Sequence, residues 1–173
     1  EGLMPPPLSP LVREALSDIE LGQDPSAPPV DKDWGEPGLS PAERVIGWNS
    51  IEVLAFKSGN PDAPVNAIPP TARAHCQLRF VVGTDWENAQ RYLDEHLASK
   101  GIEHVKVTVK PAVKSTRLEL DNPWVDWTLQ SIAKTTGKKP ALLPNLGGTV
   151  PNYIFAETLG LPTIWVPHSY PAC

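Results

Sequence analysis

Apolar positions change their period four times along the chain. Leu8, Val12, Leu16 and Ile19 recur at the spacing of one helical face, and Ser9-Pro10 supplies a cap and a first helical residue. Residues 22–39 are broken by proline and glycine and read as an extended surface segment. The run 40–43 (SPAE) is a capping box with proline at its first helical position, predicting a short helix to about Ile46. The period then shortens to two. Residues 50–57 read as a strand, 58–61 as a turn, and 71–81 as a strand. There Ala72, Ala74, Cys76, Leu78 and Phe80 form a buried face opposite Thr71, Arg73, His75, Gln77 and Arg79. Asp85 is the expected cap of a helix to Lys100, striped by Trp86, Ala89, Leu93 and Leu97 and stopped by Gly101. Residues 104–110 alternate again, predicting a third strand.

Past Lys114 the style differs. Asn122-Pro123 opens a helix stopped by Gly137, a second helix runs from about Pro151 to Gly160, and 163–166 reads as a buried strand. The expected fold class is α+β: an antiparallel sheet with helices on one face, then an α/β portion. The expected divisions are a proline-rich segment 1–42, a sheet-and-helix domain 43–114, and an α/β part 115–173. The apolar run just before the end at Cys173 reads as a piece of a larger protein.

Composition narrows the function. With 173 residues, 40% apolar and 20% charged, the chain has a globular balance. No apolar run is long enough for a membrane span. A net charge of −5 argues against a nucleic-acid partner. Two cysteines, Cys76 and Cys173, exclude a disulfide scaffold and suit a reducing compartment, hence a cytoplasmic setting. Thirteen of the 21 prolines fall in the first 70 residues.

Three features carry candidate chemistry. The run 145–152 (NLGGTVPN) places two glycines and a threonine before a helix start, which suits either an anion or an ordinary capped turn. Arg79, on the polar face of its strand, can grip a carboxylate through two parallel hydrogen bonds or stand as a salt-bridged surface arginine. Asn66, between the strands, can reach a ligand oxygen or simply form its turn. His75, His96, His104 and His168 show no ligand spacing and no acidic cluster, so a metal site from this chain alone is not expected. Cys76 reads as an inert core thiol.

Five runs in order, 48–56 (WNSIEVLAF), 66–69 (NAIP), 77–80 (QLRF), 147–151 (GGTVP) and 157–167 (ETLGLPTIWVP), give the chain a recognisable signature. It resembles the M20 family of zinc metallopeptidases: carnosinase-like dipeptidases, aminoacylases, desuccinylases and glutamate carboxypeptidases. The resemblance implies a lid, or dimerisation domain, over 43–114 and part of a catalytic domain over 115–173. It implies that Arg79 binds the substrate's carboxylate, that Asn66 contacts substrate from a partner subunit, and that Gly147, Gly148 and Thr149 hold the carboxylate end. Threonine stands where the family has serine, and the hydroxyl is kept. It further implies a parent hydrolase with two zinc ions whose ligands lie outside this chain, and a homodimer. The substrate would be a peptide or N-acyl amino acid with a free carboxylate, and the rest of the catalytic domain a necessary partner. The chain alone is expected to be inactive. The competing expectation is a non-catalytic dimerisation or interaction module.

Overall fold

The computed structural model describes residues 2–21, 31, 33–148 and 150–167. It is an α+β structure with four α-helices, one π-helical turn and, among the described residues, one two-stranded antiparallel sheet.

Helix α1 (Pro10–Ser17) starts where the Ser9 side chain accepts from the Val12 amide. Helix α2 (Pro41–Ile46) carries the full capping box, Ser40 and Glu43 each satisfying the other's backbone. The two helices bury Val12, Leu16 and Ala42, with Leu8, Ile19, Ile46 and Leu120 packed around them. Glu43 is buried in this cluster, and its charge is met by Arg13 at 2.5 Å and by the Ser40 amide at 2.7 Å. Gly47 ends α2 because nothing larger fits: a Cβ there would meet the Glu43 carbonyl at 2.9 Å and Leu16 and Leu8 methyls at 3.0 Å.

Strands β1 (Ser50–Ser58) and β2 (Ala72–Arg79) pair from Ser50↔Arg79 to Ser58↔Ala72. The register shifts between Val53 and Ala55. This bulge decides the faces. Ile51, Val53 and Phe56 stand opposite Leu78, Cys76 and Ala74, while Glu52 and Lys57 stand opposite Gln77 and Arg73. Without the extra residue, Phe56 would point to the polar side.

Helix α3 (Ala89–Ser99) follows, then α4 (Pro123–Thr136), capped by Asn122 and ended by Gly137 at φ +67°. The π-helical turn Ile154–Thr158 comes last.

Several expectations change here. The apolar face of the hairpin is open: Val53 is 67% and Phe56 68% exposed, and Cys76 is an exposed thiol rather than a core one. Among the described residues no helix packs on that face, so alternation alone did not secure burial. Residues 104–110 form no strand. The Gln90 side chain takes over their pairing, donating to the Val107 carbonyl at 3.2 Å and accepting from the Val109 amide at 2.9 Å. Residues 163–166 form no strand, and Ile164, Trp165 and Val166 are exposed. The second C-terminal helix is reduced to residues 152 and 153 and the π turn.

Leu16 is the most deeply buried large side chain, at 1% exposure. Leu16→Ala is expected to cost about 2–4 kcal/mol in urea unfolding. A loss below about 1 kcal/mol would show that this cluster does not hold the chain together.

Candidate functional site

Arg79 is the last residue of β2, on its polar face, beside Glu52 on the neighbouring strand. Arg79 Nε donates to Glu52 Oε1 at 2.8 Å. With the two side chains 44% and 42% exposed, this ion pair contributes less than about 1 kcal/mol. Its effect is orientation: one edge of the guanidinium is taken, and the terminal nitrogens project beyond it. The salt-bridged reading of Arg79 therefore holds, and it leaves the fork free for more.

That fork reaches the glycine loop. A Cβ on Gly147 would lie 3.2 Å from Arg79 Nη1. The loop is fixed at both ends by asparagines. Asn145 Nδ2 donates to the Ile46 carbonyl at 2.9 Å, tying it to the end of α2. Asn152 is 8% exposed and makes three bonds. Its Nδ2 donates to Thr116 Oγ1 at 2.7 Å and Thr163 Oγ1 at 3.0 Å, and its Oδ1 accepts from Trp165 Nε1 at 3.2 Å. At the hairpin base, Asn49 accepts from the Val81 amide at 2.9 Å and donates to the Leu3 carbonyl at 2.9 Å. It is also bonded to the buried Thr84 hydroxyl. These three asparagines lie within runs that the sequence singles out, but their positioning role does not show there. An asparagine before a strand or beside a glycine run has many uses, and the partners lie 11 to 99 residues away.

Arg79, Gly147 and Gly148 line one cleft of about 850 Å³. Of the residues singled out in the sequence, the structure brings these three together. Asn66 sits exposed in the loop between the strands and does not border the cleft. Thr149 lies outside the described residues, as does His168. The cleft walls are otherwise largely apolar, with Phe80, Leu129, Leu143 and Trp165 among them. A carboxylate at this end of the cleft would find in the Arg79 guanidinium a charge-assisted donor.

A second cavity of about 530 Å³ lies beside it, bordered by Thr84, Asp85, Trp86, Lys114 and Glu157. Lys114 and Glu157 pair at 2.8 Å, which fastens the π turn to the 114–116 segment. Asp85 is not the helix cap. Asn88 holds that place, and Asp85 accepts from the Tyr92 hydroxyl at 2.6 Å and from Asn88 Nδ2 at 3.0 Å. These bonds, Tyr92's first, hold the Asp85 carboxyl below its ordinary 3.8. The same contact pushes the Tyr92 hydroxyl above 10.0.

Among the described residues, no cluster of three or more histidine, cysteine or acidic side chains is placed to hold a metal ion. No helix of the described residues is long and apolar enough to cross a membrane.

Two outcomes check this geometry. The Asp85–Tyr92 bond stabilises the fold above pH 3.8 and loses that effect as pH falls through the lowered Asp85 value. At the alkaline end it is complete below pH 10.0 and is lost as pH rises through the raised Tyr92 value. Tyr92→Phe should move the Asp85 carbon-detected titration upward, and an unmoved midpoint would refute the assignment. Gly147→Ala should displace the Arg79 guanidinium by a few tenths of an ångström. Because the tip of a flexible side chain yields, stability should stay within about 0.5 kcal/mol. Thermal unfolding together with arginine side-chain NMR reads both effects, and an unshifted Arg79 signal would count against the approach.

No protein-family description and no curated protein matches the chain. Among solved structures it is similar to the crystal structure of an M20 family metallo-carboxypeptidase, Sso-CP2, from Sulfolobus solfataricus. The TM-score is 0.64 and the identity 21%, over 90% of this chain. At that identity the likeness is one of fold, and the chain spans 36% of the length of that peptidase.

Proposed function

We propose that the chain is part of a metal-dependent peptide or amide hydrolase of the M20 type, in which it holds the substrate's free carboxylate. One observation carries this reading: the Arg79 fork stands against Gly147 across a cleft that both line. The fold likeness to a metallo-carboxypeptidase supports it. Arg79 and residues 147–149 orient the carboxylate end so that the scissile bond is presented in one position, which is catalysis by placement. Residues 1–42 form a proline-rich insert, 43–114 part of a lid, and 115–173 part of the catalytic domain. Two zinc ions, held by residues outside this chain, belong to the whole enzyme. So does a homodimer in which Asn66 reaches the partner's substrate. The setting is cytoplasmic.

A second reading, a dimerisation module without a substrate site, is favoured by the exposed apolar face around Ile51, Val53 and Phe56. The two separate by experiment. Arg79→Ala in the whole enzyme should raise KM roughly 10- to 100-fold for a carboxylate-bearing substrate and also lower kcat, because the bound substrate is no longer held in one position. An unchanged KM would remove Arg79 from the substrate site and favour the module.

A further inference from the structure

Arg79 is held by a carboxylate that lies outside the cleft. Glu52 stands directly opposite Gln77 on the hairpin, and Arg79 stands opposite Ser50. The 2.8 Å bond from Arg79 Nε to Glu52 Oε1 therefore runs diagonally across the two strands. Gln77 and Arg79 both border the larger cleft, and Glu52 does not. Whatever Glu52 does to a group bound there, it does through Arg79 and through its own charge.

That charge is the unusual part. The cleft lining holds Arg79, Lys114 and Arg117 and neither an aspartate nor a glutamate. A neutral oxygen, from a carbonyl or a glutamine amide, would fix Nε equally well and leave the arginine its full positive charge. A carboxylate fixes it and subtracts from the field that an incoming anion meets. The pair does little for the fold, since its side chains are 44% and 42% exposed. Its larger effect falls on the ligand.

We propose that Glu52 is a positioning residue that also sets how tightly the site holds a carboxylate: it fixes the guanidinium and, by its charge, keeps the hold loose. The proposal rests on the reading that Arg79 takes the carboxylate of the substrate. In a hydrolase of that kind the product on the carboxyl side keeps the same carboxylate. An interaction equally strong before and after bond cleavage does not speed the chemistry, and it delays the product's departure. A guanidinium aimed by an acceptor but weakened by that acceptor's charge gives placement without a tight grip.

The test is NMR titration of the whole chain with N-acetyl-L-alanine and with its neutral counterpart N-acetyl-L-alaninamide, followed at the amide signals of Gly147 and Gly148. Glu52→Gln keeps an oxygen for Arg79 Nε and removes the charge. It should bind the acid about three- to tenfold tighter than the unaltered chain at low ionic strength and bind the amide as before. Added salt should shrink the gain. Glu52→Ala removes the acceptor as well as the charge and should gain less. Arg79→Ala should weaken the acid and leave the amide unaffected. Unchanged or weaker binding of the acid by Glu52→Gln overturns the role of Glu52 while the Arg79 site stands. An equal gain for acid and amide overturns it too, because charge would not be the cause, and a gain in Glu52→Ala as large as in Glu52→Gln overturns the positioning role. Acid binding that is indifferent to Arg79→Ala overturns both readings. The exposure of Glu52 lets both of its variants fold.

Discussion

The register of a single hairpin determines which way Arg79 points. Side chains alternate along a strand, so a slip of one residue would carry Arg79 to the opposite face and away from the glycine loop. Two features oppose that slip. The bulge between Val53 and Ala55 keeps Phe56 in line with Ile51 and Val53 while Lys57 stays with Arg73. Below it, Asn49 joins the Val81 amide, clamping the hairpin base just beyond Arg79. Glu52 then selects the rotamer of the guanidinium.

Burial alone cannot hold this arrangement. The buried apolar residues are Val12, Leu16, Ala42, Ala89 and Val125 among those described. Polar side chains that each join distant backbone or hydroxyl groups do much of the positioning: Glu43 between the first two helices, Asn145 between the loop and α2, and Gln90 between α3 and 107–109. Each bond adds only about 0.5–1.5 kcal/mol net, but losing one partner strands the others. The loop can thus be exposed to a ligand and still be held in place.

Local chemistry was legible in the sequence where it acts locally. The caps at Ser9, Ser40 and Asn122 and the stop at Gly137 all appear where a hydroxyl or amide before proline, or a glycine after a periodic run, places them. Strand pairing was legible for β1 and β2, whose partners are close along the chain. It failed for 104–110 and 163–166, because an alternating or apolar run states that a segment can be a strand and not that an edge is available to receive it. Cys76 was misplaced for the same reason: its face is apolar but uncovered. Arg79, Gly147 and Gly148 could be named as candidates, yet their meeting, 68 residues apart for Arg79 and Gly147, is a property of the tertiary fold.

Asn152 shows how narrow the chemical choice at one position can be. Its amide gives two hydrogens to threonine hydroxyls and takes one from an indole, all without carrying charge. Leucine, of similar bulk, would strand all three neighbours. Aspartate could keep the indole and make both hydroxyls reverse and donate, but it would bring an anion into an enclosed space beside the cleft. That anion would be the first negative charge in a lining that also holds Arg79, Lys114 and Arg117. Neutrality at position 152 therefore keeps the charge of the cleft wall as much as it keeps the shape of the loop.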